Sequence, residues 1–356
     1  MRVLYAGSPA IAVPALEALG DLTLESEGRG VIVLAGALTN PDSPRGRRGS
    51  SEPTGVGAAA EALSRRFVAR GLSPLQVIKP ESLKTGAREL TAALKPDLLV
   101  SFAYGRIFGP RFLALFPLGG INIHPSLLPR YRGPTPIPQA ILAGDRETGV
   151  TIQRLAPEMD SGDILVQERV PLSGRETTAT LSALMARKAA ELLPPLLRGL
   201  AAGSLEALPQ NHREASYCSL IAKEEGLIDW TKSAPEIDAK IRAYNPWPLS
   251  WTYHGKDRLY ILEAEPWTES RAETEPGESA GLSPEGGNGP ELSPPGALPG
   301  LVLGIDKGRG ILVQTGRGVL ALKILQYQAR KALEWRAFLN GARNFIGACL
   351  GSSGGG

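Results

Sequence analysis

Four short apolar runs, at residues 2–6, 31–38, 97–102 and 120–124, each stop at a turn holding glycine or proline, and helix-sized segments separate them. That alternation is restrictive. Parallel strands can be joined only by a crossover of a dozen or more residues, whereas antiparallel strands need no more than a tight turn. Strands spaced by helices predict a mostly parallel sheet with helices on both faces. The first 200 residues are therefore expected to form an α/β, Rossmann-like domain.

The first strand breaks at Gly7-Ser8-Pro9, where Ser8 as N-cap and Pro9 at the first helical position predict a helix through residue 19. The turn lacks GxGxxG, which excludes a dinucleotide site of the usual kind. Further helices are expected over 56–70 and 178–200, and a strand over 76–79. Pro194-Pro195 should kink or interrupt the second of these helices. Small and polar residues over 201–214 read as an interdomain linker, with His212 exposed in it.

At 356 residues, 42% hydrophobic and 21% charged, the chain is long enough for two domains with cores of their own. No run approaches the roughly 20 apolar residues of a membrane span, and the N-terminus enters a strand without a signal-peptide pattern, so the expected compartment is cytoplasmic. Cys218 and Cys349 lack a CxxC partner, and His124, His212 and His254 lack the spacing of a zinc site. Neither a disulfide nor a metal is expected.

The second domain is expected over 215–348. An amphipathic helix over Ala234–Ala243 precedes alternating segments at 250–253, 258–264, 300–305, 310–315 and 318–326, and five short strands predict a small β-barrel of the oligonucleotide-binding (OB) type. Residues 268–300, dominated by Glu, Gly, Pro and Ser, read as a disordered insertion. The tail at 349–356 reads as disordered too. Net charge is only +3, yet 268–300 hold six Glu against one Arg, while 301–348 hold eight Lys or Arg against two acids. The average hides a basic patch.

Chemistry concentrates between Gly119 and Leu165. In the strand at 120–124, Asn122 and His124 share a face, because strand side chains repeat every two residues, and they end at its carboxyl tip, where open α/β sheets bind ligands. A second strand, expected over 150–155, leads to Asp160. An amide, an imidazole and a carboxylate with no serine or cysteine nucleophile beside them suit a transfer whose acceptor brings its own nucleophile. Asn122 is then a neutral oxyanion donor, His124 handles protons and Asp160 orients the ring.

Asn122-Ile123-His124, then Ser126-Leu127-Leu128-Pro129, then Asp160-Ser161-Gly162 closely resembles the signature of the folate-dependent formyltransferases. The resemblance implies a formyl donor, 10-formyltetrahydrofolate, and a primary amine acceptor. It assigns catalysis to Asn122, His124 and Asp160, and places Ser126, Leu127, Leu128 and Pro129, together with Tyr104 in the Ala103-Tyr104-Gly105 turn, against the folate.

The loop Thr39-Asn40-Pro41-Asp42-Ser43-Pro44-Arg45-Gly46-Arg47-Arg48 is similar to the loop that the methionyl-tRNA branch of this family inserts into the acceptor stem of its tRNA, with Asn40 in place of the usual Gln. Ile228-Asp229-Trp230 and Asn245-Pro246-Trp247-Pro248 resemble that branch's C-terminal domain, with both tryptophans expected to be structural. The resemblance implies methionyl initiator tRNA as partner, held by Arg45, Arg47 and Arg48. Lys323, Arg330 and Lys331, with Arg336 and Arg343, form a second candidate phosphate-binding cluster. A monomer is expected. The rival reading is a formyltransferase acting on a sugar nucleotide or another small amine, which would need neither the arginine loop nor a basic barrel.

Overall fold

The structure is a computed structural model, and it describes residues 1–26, 28, 31–45, 50–268 and 297–351. Two compact units emerge: Met1–Ala140 with Asp145–Leu220, and Ile141–Gly144 with the chain from Ile221 onward.

The first unit runs β1 (Arg2–Gly7), α1 (Val13–Glu25), β2 (Val33–Leu38), β3 (Ser43–Arg45), β4 (Ser50–Glu52), α2 (Gly55–Ala69), β5 (Gln76–Ile78), α3 (Thr85–Ala93), β6 (Leu98–Phe102), α4 (Pro110–Leu113), β7 (Gly120–His124), α5 (Pro136–Leu142), β8 (Glu147–Arg154), β9 (Ile164–Pro171) and α6 (Thr178–Ala202). Seven strands form one sheet in the order β5-β2-β1-β6-β7-β8-β9. Pairing is parallel from β5 through β7 and antiparallel from β7 to β9. The order runs outward in opposite directions from β1 and β6, so the carboxyl ends of these strands frame the crevice at which open α/β sheets bind ligands. β1 and β6 are buried almost throughout, as strands covered on both faces must be. Leu4, Ala6, Leu38, Leu99, Phe112 and Phe116 form one core cluster of the unit.

The expected strands and helices recur with shifted ends, but four local expectations need correction. Ser8 does not cap the first helix: a 3-10 turn over Ala10–Ala12 intervenes, and Ser8 Oγ bonds the Tyr104 carbonyl and receives the Asn40 N–H instead. Second, Pro194 and Pro195 lie inside a helix that continues for 25 residues. Leu181, Met185, Ala189, Leu193, Leu196 and Leu197 form its buried face, and α6 packs on α1, so apolar burial outweighs the lost N–H groups. Third, β9 had no sequence counterpart, because its polar residues mask the alternation. Fourth, the supposed linker at 201–214 is tied to the first unit, where Ile164 and Leu208 exchange backbone hydrogen bonds and Gln210 is buried.

The second unit holds α7 (Ala234–Ala243), β10 (Ser250–His254), β11 (Asp257–Trp267), β12 (Val302–Asp306), β13 (Gly310–Gln314), β14 (Val319–Tyr327), β15 (Leu333–Glu334) and α8 (Trp335–Gly341). Its antiparallel sheet has the order β10-β11-β14-β13-β12, with β15 on β14, consistent with a small barrel. Leu259, Ile261, Ile311, Val313, Leu320, Leu322 and Leu325 fill its core, closed by Trp230, Trp335, Phe338 and Phe345. Of the two tryptophans expected to be structural, Trp230 is buried and donates to Thr252 Oγ1 at 3.0 Å, whereas Trp247 is 57% exposed. Asn245 supplies the anchor there, donating to the Leu262 carbonyl. The tail is ordered further than expected: Leu350 is in the core and Gly351 pairs with Tyr253. Of the acidic insertion, residues 269–296 lie outside the described residues.

If packing carries α6 through its prolines, the exposed Pro195 is a net cost. Pro195→Ala restores an N–H to the helix ladder, and the free energy of urea unfolding should rise by about 2 kcal/mol. A lower unfolding midpoint would contradict a continuous helix.

Candidate active site

Strand β7 carries Asn122 and His124 to its carboxyl end, and its antiparallel register with β8 sets Asn122 opposite Gln153 and His124 opposite Thr151. From Arg154 the chain turns through Met159, Asp160 and Ser161 before returning as β9. Gly162 closes that turn by necessity, since a Cβ there would lie 1.9 Å from the Arg154 carbonyl oxygen. Asp160 itself adopts φ +52°, a left-handed conformation in which aspartate is among the more tolerant residues.

The Asp160 carboxylate is the meeting point. Its Oδ1 accepts from Asn122 Nδ2 at 3.3 Å and from Gln153 Nε2 at 3.0 Å, and its Oδ2 accepts from the Gly133 N–H at 2.8 Å. Oδ2 also lies 3.6 Å from His124 Nδ1. The three residues expected to act together are thus brought together. His124 is 4% exposed, and its Nε2 sits 2.8 Å from the Tyr131 carbonyl. A carbonyl cannot donate, so Nε2 carries a proton and Nδ1 is the nitrogen free to gain or lose one, opposite the carboxylate. Asn122, half-buried, spends one N–H on Asp160. Its second has no partner among the described residues.

The segment expected to lie against folate is largely a brace for this site. Ser126 is fully buried and its Oγ donates to the Arg130 carbonyl at 2.6 Å. Thr151 Oγ1 donates to the Ser126 carbonyl, and Gln167 Nε2 to that of Leu128, whose side chain is buried. Leu127 and Pro129 are half-exposed. Tyr104 is a core residue: 2% exposed, its ring stacked on Phe108 at 5.3 Å and its hydroxyl unpartnered. The side chain that protrudes from the same loop is Ile107, 85% exposed.

Two neighbours titrate abnormally. Burial, reinforced by a hydrogen bond to Asp145, pushes the Tyr131 phenol up to about 12, against the opposing charge of Arg130. Burial also raises the Cys218 thiol, and the nearby Asp160 charge adds to that. At neutral pH Cys218 is a thiol and no nucleophile.

Sequence reasoning missed Gln153, Gln210 and the buried role of Arg132. Gln210 Nε2 shares its two hydrogens among Gln153 Oε1 at 3.0 Å, the Asp160 carbonyl at 2.9 Å and the Gly162 carbonyl at 2.6 Å. Its Oε1 receives Arg132 Nε and Nη2 at 3.2 and 2.7 Å. Arg132 is 1% exposed and completes its contacts on the Tyr217 hydroxyl and His212 Nδ1. A strand glutamine facing the Asn122 register position was the available signal for Gln153. Nothing local marked Gln210.

The arginine loop begins as a hairpin, β3 on β4, with Arg45 opposite Ser50. Arg47 and Arg48 lie outside the described residues. At the hairpin's foot Lys79 Nζ bridges Asp42 at 3.0 Å and Glu61 at 2.8 Å. In the second unit, Lys323 departs from the expected basic cluster: its Nζ is paired with Glu265 at 2.7 Å and Glu263 at 4.0 Å on the neighbouring strand β11. Arg330 and Lys331 are exposed.

Comparison with known proteins follows the same division. A family model described as "Formyl transferase" matches residues 2–197, and one described as "Formyl transferase, C-terminal domain" matches 220–343. The chain is 43% identical over 346 residues to the methionyl-tRNA formyltransferase of Treponema denticola, covering 97% of this chain and 98% of that one. It is 39% identical over 342 residues to that of Chloroflexus aggregans, covering 96% and 97%. Among solved structures, an N-formyltransferase from Helicobacter canadensis aligns at TM-score 0.58 with 18% identity, covering 90% of this chain and 98% of that one. HypX from Aquifex aeolicus in complex with tetrahydrofolic acid aligns at TM-score 0.56 with 16% identity, covering 97% and 48%. These structures share the fold, and the two domain models with the near full-length relatives show that the chain belongs to the formyl transferase family.

Proposed function

We propose that the chain transfers the formyl group of 10-formyltetrahydrofolate to the α-amino group of methionyl initiator tRNA, giving N-formylmethionyl-tRNA. The carrying observation is the convergence of Asn122, His124 and Gln153 on the Asp160 carboxylate at the carboxyl end of β7, in a chain 43% identical to a methionyl-tRNA formyltransferase. Two sugar N-formyltransferases, representing the rival class, resemble the chain at 16% and 18% identity.

The residues fit a folate donor. Phe102 pairs with Ile123, so the loop after β6 emerges beside the Asn122–His124 tip, and the protruding Ile107 offers that loop an apolar surface suited to a flat ring. The backbone turn at 103–105 and the half-exposed Leu127 and Pro129 are the proposed folate contacts, in place of the buried Tyr104 ring.

In the mechanism, the neutral amine of the acceptor attacks the formyl carbon, forming a new C–N bond. The free N–H of Asn122 donates to the oxygen that becomes negative. A proton leaves the attacking nitrogen, and one reaches the departing folate nitrogen as its C–N bond breaks. His124 Nδ1 is the site for that traffic, with Asp160 stabilising the imidazolium across the 3.6 Å gap. Tyr131 holds Nε2 throughout, so the ring cannot turn away.

For the tRNA, Arg45, Arg47 and Arg48 of the arginine-rich sequence and the exposed Arg330 and Lys331 are the proposed phosphate contacts. Lys79 braces the hairpin from below. No helix among the described residues is long and apolar enough to cross a membrane. A cytoplasmic monomer remains our reading.

Single-turnover formylation should fall by about 10²- to 10⁴-fold in Asn122→Ala, His124→Ala and Asp160→Ala, with folate affinity nearly unchanged. Wild-type rates in all three would end the assignment. Arg47→Ala should raise KM for methionyl-tRNA and leave KM for folate in place. Equal increases in both would remove the loop from tRNA binding.

A further inference from the structure

Two glutamine side chains, Gln210 and Gln153, link a buried cation, Arg132, to the proposed catalytic carboxylate of Asp160. Arg132, Gln210 and Gln153 are 1%, 6% and 1% exposed, so their polar groups must be satisfied within the protein. Orientation of a glutamine amide is normally ambiguous, because its oxygen and nitrogen are nearly alike in shape. Here the ends of the chain remove the ambiguity. Arg132 can only donate, so Gln210 must present Oε1 to it and Nε2 away from it. Gln153 must then turn Oε1 toward Gln210 and Nε2 toward Asp160, which can only accept when ionised.

We propose that Arg132, Gln210 and Gln153 form a polarised hydrogen-bond relay that positions the Asp160 carboxylate for catalysis. Gln153 and Gln210 are positioning residues in it. The inference rests on the reading of Asp160 as catalytic. Three features give the relay its function. Gln210 Nε2 also grips the carbonyls of Asp160 and Gly162, so one amide holds the left-handed turn and orients Gln153, which holds the carboxylate. Arg132 adds a second hold, because the peptide N–H that follows it, on Gly133, donates to Asp160 Oδ2. Gln153 also stands at a slip in the β8–β9 register, between Ile152 and Gln153, the kind of irregularity that re-aims a side chain.

Two amides between the charges serve a purpose that direct contact would not. A guanidinium placed on Asp160 would occupy its oxygens bidentately and compete with His124 Nδ1. At relay distance Arg132 orients the carboxylate and leaves Oδ2 facing the imidazole.

Two variants separate the relay from mere packing. Gln153→Met keeps the volume and removes one of the two donors to Oδ1, leaving that of Asn122. Gln210→Glu keeps an acceptor for Arg132, so that the buried cation gains a charged partner, and removes the N–H groups that hold Gln153 and the turn. Each folded variant should lose about 10- to 100-fold in kcat for formylation of methionyl-tRNA, with KM for both substrates within about twofold of wild type. Unchanged kcat in both, beside an active wild type, overturns the relay. With only three histidines in the chain, the His124 ring nitrogens can be followed by 15N NMR in substrate-free protein. Their resonances should move in both variants, and unmoved resonances overturn the relay even if the wild type proves inactive on methionyl-tRNA.

Discussion

A single carboxylate accepting from three neutral N–H groups while facing an imidazole is the constraint around which the first unit is arranged. Each donor to Asp160 comes from a different stretch: Asn122 from β7, Gln153 from β8 and Gly133 from the loop between them. The turn bearing Asp160 can approach only because position 162 has no Cβ. The same loop that sends Gly133 to Asp160 sends the Tyr131 carbonyl to His124. A displacement of any one stretch therefore disturbs both halves of the proposed acid–base pair.

Such a site is expensive to build from buried polar groups unless every one finds a partner. From Arg132 to Asp160 the chain of bonds approaches that condition by closing at both ends on residues that have only one hydrogen-bonding sense. A buried arginine whose described partners are neutral is unusual, since a lone interior charge is costly. Its opposite charge exists, two amides away. That separation is what leaves the carboxylate available to its histidine.

Much of the architecture could be read from the chain because its strands are nearly continuous apolar runs ending at glycine or proline, a pattern with few alternatives. The convergence of the proposed catalytic trio could be read because Asn122 and His124 share one strand, and because Gly162 keeps Asp160 in a recognisable Asp-x-Gly. What could not be read depended on tertiary packing. Pro194 and Pro195 signal a break by every local rule, yet the buried leucines of α6 override them. Tyr104 stands where a pocket wall belongs, but whether a ring faces a cleft or a core is settled by Phe108 and Phe112 around it. Gln210, in a polar stretch with the composition of a linker, acquires its role only from residues 48 to 78 positions away.

Charge illustrates the same limit for the proposed RNA-binding surface. Summed along the chain, 301–348 is strongly basic, but a cation already paired within the protein releases few counterions when a phosphate approaches. Lys323 sits between two glutamates, and Arg336 is engaged by Glu334 and the Lys307 carbonyl. Arg330 and Lys331 carry exposed charge. On the proposed reading, the affinity of the second unit for RNA is carried by fewer cations than its composition advertises. Net charge measures how basic a segment is, whereas the pairing of each side chain decides how much of that charge a polyanion can use.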